Sequence, residues 1–203
     1  MLHKPIHTQN KARSRAHSKA WLLYVCLLTM LAGCSKCNKV VEPAGELSKL
    51  PAATQTGAGT FGCMVNGKAW MPQGRGNILG PANPTIVYDA TYDNGSLDIR
   101  ARIYAGGSGL SSGNAISIIE IYGSKLDKEG EYNLTNSNVR FAYSTDTEGF
   151  YSKEDLASNC KLTITKLDKV NAIISATFSF TIEKKDTGKK LTVTDGRFDS
   201  LFY

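Results

Sequence analysis

The chain has 203 residues with 24 Lys+Arg against 18 Asp+Glu, but the positive excess is concentrated at one end. Lys4, Lys11, Arg13, Arg15 and Lys19 lie in the first twenty residues with no acid among them, and so do all three histidines, His3, His7 and His17. Past residue 33 the chain is balanced to within one charge and has no histidine, which excludes a basic nucleic-acid footprint, imidazole-activated nucleophiles and most catalytic zinc sites.

The basic leader runs into a mostly apolar stretch from Trp21 to Ala32, and then Gly33-Cys34. A basic region, a short apolar run and small residues at a cut site define a secretory signal. The run is too short to cross a bilayer, which takes about 20 apolar residues. Leu31-Ala32-Gly33-Cys34 resembles the lipobox of bacterial lipoproteins. That resemblance implies cleavage before Cys34, a diacylglyceryl thioether on its sulfur, and acylation of the new amino group. Each buried methylene contributes about 0.8 kcal/mol, so two or more chains anchor stably in a membrane. In lipoproteins of this type a residue other than Asp after the lipid cysteine implies transport to the outer membrane. In Bacteroidota-type lipoproteins an acidic cluster just after that cysteine signals surface export; Ser35-Lys36-Cys37-Asn38-Lys39 carries no acid, so the resemblance implies a periplasm-facing anchor, with surface exposure the alternative. The expected organisation is a signal over 1–33, a flexible Pro- and Gly-containing tether over 34–59, and one domain over 60–203.

The domain opens with Thr60–Val65, in which Phe61, Cys63 and Val65 share one face of a strand. Asn66-Gly67 is a two-residue hairpin signal. Ala69-Trp70 begins the return strand and Pro72 ends it. This stretch resembles the opening hairpin, Phe-x-Cys/Ala-x-Val-Asn-Gly-Lys-x-Trp, of a family of Bacteroidota-type outer-membrane lipoproteins; Phe61, Val65, Asn66, Gly67, Lys68 and Trp70 carry the match. The family lends no activity. Gly130, Tyr132 and Leu134, and later Gly196 and Phe198, also match stretches of similar proteins. Trp70 is either a ligand-stacking platform or an aromatic packed against the hairpin.

A Gly- and Pro-rich loop over 73–84 precedes a strand expected at Thr85–Tyr92, and Asp93-Asn94-Gly95 turns the chain. Leu97, Ile99, Ala101 and Ile103 alternate with polar residues, the pattern of a half-buried strand. Asp93, Asn94 and Asp98 do not have the spacing of a calcium loop. The glycine-rich loop Ala105–Asn114 is followed by the β-like run Ala115–Tyr122 rather than a helix, so it is not a phosphate cradle. No cofactor or metal motif appears. Val139–Tyr143 reads as a short strand, and Ser152–Asp155 resembles a capping box opening a helical turn through Ser158. Cys160, Leu162 and Ile164 share one face, and Ala172 to Ile182 is the longest alternating strand. Lys184–Lys190 is a charged hairpin turn, Asp195-Gly196 a bend or bulge, and Arg197–Tyr203 closes the chain.

Cys63 and Cys160 each lie in phase with inward apolar residues, and an exported compartment permits disulfides. A Cys63–Cys160 bridge and two buried free thiols are the two alternatives. Cys37 is left over in the tether.

Many short alternating strands separated by turns, with almost no helical pattern, predict an all-β domain, an antiparallel β-sandwich or partly open barrel of roughly nine to eleven strands. The leading functional expectation is a non-catalytic accessory or binding domain, held to the outer membrane by lipid on Cys34, with an envelope protein or glycan as partner and no nucleic acid. The second is a glycan- or peptide-binding module stacking its ligand on Trp70, Tyr92 and Tyr104, with Tyr88 and Tyr122 as further candidates. The third is a glycosidase built on an Asp/Glu pair, although no spacing selects such a pair.

Overall fold

A computed structural model describes residues 45–74, 82–105, 114–133 and 139–202. Among them eleven strands form two antiparallel sheets that pack face to face as a sandwich and do not close into a barrel. They are β1 (Ala58–Val65), β2 (Lys68–Trp70), β3 (Thr85–Asp89), β4 (Ser96–Tyr104), β5 (Ala115–Gly123), β6 (Gly130–Asn133), β7 (Arg140–Thr145), β8 (Gly149–Tyr151), β9 (Leu156–Asp168), β10 (Ile173–Glu183) and β11 (Lys190–Leu201). The first sheet has the order β2-β1-β11-β10-β9-β6 and the second β3-β4-β5-β7-β8.

Period-two alternation puts the apolar side of each strand into the space between the sheets. Ile174, Ala176, Phe178, Phe180 and Ile182 of β10 face Ile99, Ile119, Ile121 and Phe141 of the second sheet within one continuous core. Phe180 and Phe141 stack across the interface with ring centroids 4.9 Å apart. Each fully buried residue of this kind contributes roughly 1.5–3 kcal/mol. The exposed ion pairs, such as Lys161–Glu131 at 3.2 Å, are worth about 0–1 kcal/mol each. Core burial therefore dominates the stability of the sandwich.

The turns follow local chemistry. Asn66 and Gly67 both take positive φ, 49° and 77°, as a type I′ hairpin requires. The strand expected to reach Tyr92 stops at Asp89, because the Asp89 carboxylate accepts from the backbone N–H groups of Thr91 and Tyr92 and from the Thr91 hydroxyl. Ser152–Asp155 makes one tight turn in which Glu154 and Asp155 donate to the Tyr151 carbonyl. No helix continues to Ser158; β9 begins at Leu156. The expected bulge is present: the ladders of β11 slip beside Asp195-Gly196 against both β10 and β1. A Cβ on Gly196 would stand 2.4 Å from the Phe178 ring and 2.6 Å from its carbonyl oxygen.

One expectation needs correction. Residues 45–59, read as part of a flexible tether, are packed against the outer face of the first sheet. Glu46 opens a short 3-10 turn (Glu46–Lys49) and accepts a hydrogen bond from the Ala69 N–H at 2.9 Å. Leu50 is buried. Pro51 occupies the space a side chain at Gly62 would need, its Cδ 2.7 Å from where a Cβ would stand. Residues 54–58 then close over Asp199. This strap lacks a hydrophobic period because it is held mainly by point contacts and side-chain-to-backbone hydrogen bonds. Residues 34–44 of the expected tether, and Cys34 with them, lie outside the described residues.

Candidate functional site

The aromatic residues singled out in the sequence do not assemble into a platform. Trp70 is 6% exposed. Its ring meets Phe61 edge-on at 6.0 Å, and its Nε1–H donates to the buried Ser117 hydroxyl at 3.0 Å. It is a packing residue, with the polar handle of the indole satisfied inside the sandwich. Tyr92 is exposed in the turn before β4, whereas Tyr104 is half-buried at the far end of that strand. A rise of about 3.3 Å per residue separates the two ends of β4 by roughly 26 Å, too far for both to stack on one sugar ring. Tyr88 is wholly buried and donates to the Leu126 carbonyl at 2.8 Å.

The cysteine alternatives are also resolved. Cys63 and Cys160 are both free and buried, the second of the two alternatives. β11 and β10 stand between β1 and β9. Three inter-strand spacings of about 4.8 Å make roughly 14 Å, twice the Cα separation a disulfide tolerates. Shared inward phase gave the two thiols a common face, but strand order keeps them apart. Burial pushes the Cys63 thiol far above its ordinary range, which makes it a poor nucleophile.

On the outer face of the second sheet, Arg100 sits between Asp98 (3.3 Å) and Glu120 (3.6 Å). Its guanidinium lies 5.7 Å from the centre of the Tyr122 ring, and its Nε donates to the Tyr122 hydroxyl at 3.2 Å. That hydroxyl donates on to Glu120 at 3.3 Å. The two carboxylates therefore share one cation on a sheet surface instead of flanking a cleft.

The outer face of the first sheet holds two charged residues of β11, Arg197 and Asp199, which the sequence did not single out as site residues. Asp199 is 1% exposed. Its Oδ2 accepts from the Thr54 hydroxyl (2.7 Å), Thr56 N–H (2.9 Å), Thr56 hydroxyl (3.3 Å) and Ala58 N–H (3.1 Å). Its Oδ1 accepts from the Gly57 N–H (2.8 Å) and the Ser175 hydroxyl (2.7 Å). Burial by itself would raise its pKa. The donors from Thr54, Thr56, Ala58 and Ser175 outweigh that and hold the carboxyl well below the usual carboxylate range. Asp199 is thus an ionised clasp that fixes the strap to the sheet.

Arg197 lies two residues earlier on the same face, opposite Thr177 of β10 and Gly62 of β1. Beside it a cavity of about 310 Å³ opens over the Asp195-Gly196 bulge, lined also by Thr177, Phe178, Ser179 and Lys161 and bounded by Ala53 of the strap. This volume is at the lower end of small-molecule sites, about 300–1,000 Å³. The only sequence signals for the cavity were the Asp-Gly bulge and the Arg-Phe-Asp alternation. Neither shows that a segment 140 residues earlier supplies a wall. Among the described residues no three metal-ligating side chains come together, and no helix is long and apolar enough to cross a membrane.

Comparison with characterised proteins and with solved structures finds no match. A family model does match, over residues 87–201, from within β3 to the end of β11. It therefore includes the bulge, Arg197 and Asp199, and leaves out the strap, β1 and β2. With more than half of its length matched, the chain belongs to the family described as a domain of unknown function, DUF6252.

Proposed function

We propose that this protein is a lipid-anchored, non-catalytic binding domain of the bacterial cell envelope, held in the outer membrane through Cys34 and facing the periplasm. The anchor is supported by the Leu31-Ala32-Gly33-Cys34 lipobox behind a basic leader and a short apolar run. The binding role is carried by one observation: the cavity beside Arg197, walled by three strands and the strap. It replaces the aromatic platform as the place for a glycan or peptide ligand.

Three carboxylates serve the fold itself, in two turns and the clasp. The Asn171 side chain and neighbouring N–H groups hold Asp168 low, and Thr91 and Tyr92 do the same for Asp89. Asp199 is lowered by its clasp. All three are shifted opposite to the direction a general acid needs.

The test is labelling with a palmitate analogue in the expressing bacterium, followed by membrane fractionation. Wild type is expected to label and sediment with outer membranes, and Cys34→Ala to do neither. Equal labelling of the two proteins would overturn the anchor.

A further inference from the structure

We propose that the cavity over the β11 bulge is a receptor for a small monocarboxylate, such as a sugar acid, with the Arg197 guanidinium as the group that takes the carboxylate. This inference rests on the reading of the protein as a binding domain and names its ligand class.

Arg197 stands on a strand with neighbours on both sides, not on an edge where a long side chain would extend freely into water. Among the described residues its side chain makes no hydrogen bond or ion pair, and its Nε is buried with no acceptor. A buried charged donor without a partner is costly. Asp199, on the same face of the same strand, is fully used by its six donors from the strap and Ser175, and Asp195, which lines the cavity, makes no ion pair with Arg197 among the described residues. The terminal guanidinium nitrogens are not among the buried unpartnered atoms, so they are the part of Arg197 left accessible beside the cavity. Those two nitrogens form the planar fork that matches a carboxylate.

The surroundings narrow the ligand. Thr177 lies directly opposite Arg197, and Ser179 directly opposite Lys161, so two hydroxyls line the space between the two cations. Phe178 and Gly196 supply the floor, kept open because Gly196 has no side chain. Polar groups that pair with hydroxyls, beside a cation that pairs with an acid, fit a polyhydroxy carboxylate better than a fatty one. The charge count opposes a dianion. Lys161 is already shared with Glu131 at 3.2 Å, and Asp195 lines the same cavity. Among the described residues that line the cavity, Arg197 is left as the one uncommitted cation, enough for a single negative charge. The bulge makes the space: Asp195 takes a left-handed conformation, φ 53°, and the extra residue shifts both ladders beside it. Bulges that re-aim side chains in this way are concentrated next to binding sites.

The experiment is an amide NMR titration of the full chain in detergent micelles with sodium glucuronate, glucose and sodium phosphate as probes. Glucuronate is expected to give saturable shifts at Thr177, Ser179, Gly196 and Arg197, with glucose and phosphate weaker by at least about tenfold. Arg197→Gln should weaken glucuronate at least about tenfold, and Arg197→Lys by less, because charge is kept and the fork lost. Asp195→Asn, on the rim, should tighten glucuronate and raise phosphate binding. Unchanged affinity in Arg197→Gln, glucose or phosphate binding as tightly as glucuronate, or no saturable shift at these amides overturns the inference. Shifts confined to another surface would overturn it while leaving the binding reading in place. Absence of shifts anywhere would count against both. Palmitate labelling of Arg197→Gln stays at the wild-type level in every case, so the anchor fails or stands separately.

Discussion

Replacing Asp199 tests whether the strap is part of the folded domain. The carboxylate accepts six hydrogen bonds, three of them from the backbone N–H groups of Thr56, Gly57 and Ala58. Asp199→Ala leaves those donors facing an apolar methyl. Loss of a buried acceptor costs about 1–3 kcal/mol for each donor that water cannot reach. The strap lies on the surface and can lift, which caps the loss. An overall destabilisation of about 3–5 kcal/mol is expected, the range for breaking a buried charged network. Asp199→Asn keeps the shape but offers only one acceptor oxygen. Turned towards the four donors on the Oδ2 side, it should cost less, about 2 kcal/mol. At about 2–4 °C per kcal/mol for a domain of this size, the alanine variant should melt roughly 6–20 °C lower.

The pH dependence gives a second, independent reading. The folded-state pKa of Asp199 lies below its unfolded value. Its contribution is therefore fully present above the unfolded pKa of about 3.9 and is lost as pH falls from there through the folded value. In that window the unfolded state binds more protons, so stability rises with pH. Urea unfolding of wild type and Asp199→Asn should show a gap at pH 7 that narrows below about pH 4. Hydrogen exchange at Thr56, Gly57 and Ala58 should accelerate in the variant at neutral pH. Equal stabilities at pH 7, or a gap unchanged at low pH, would refute the clasp.

Two further outcomes follow from the core. Gly196→Ala drives a methyl into the Phe178 ring and carbonyl; overpacking of this kind typically costs about 1–3 kcal/mol, and chemical denaturation indistinguishable from wild type would show that the bulge relaxes freely. Cys63 and Cys160 are free and buried. Mass spectrometry without reductant should therefore find both alkylated only after unfolding, and a mass two hydrogens short after alkylation would restore the bridge.

The strand pattern, the Asn66-Gly67 hairpin, the charged turn at Lys184–Lys190 and the Asp195-Gly196 bulge were legible because each is a local matter. Side-chain period, positive φ and turn chemistry act within a few residues. The capping-box resemblance at Ser152–Asp155 marked a turn but overran it to Ser158, because a local hydrogen-bond pattern does not say where the next strand begins. The Trp70 alternatives stayed open in the sequence because a tryptophan at a hairpin reads the same whether its indole meets solvent or Ser117, 47 residues away.

By itself the sequence determined that the chain is all-β, which residues point inward, and that residues 34–203 contain no histidine. These depend on composition and on a period of two, and neither needs a partner strand. Tertiary structure alone decided what the outward residues do. Strand order set Cys63 and Cys160 too far apart to bond. The strap turned Asp199 from a surface acid into a buried clasp, and that clasp takes up the Asp199 carboxylate that shares a strand face with Arg197. Such outcomes depend on residues about a hundred or more positions apart, and periodicity along one strand carries no information about what lies across the sheet from it.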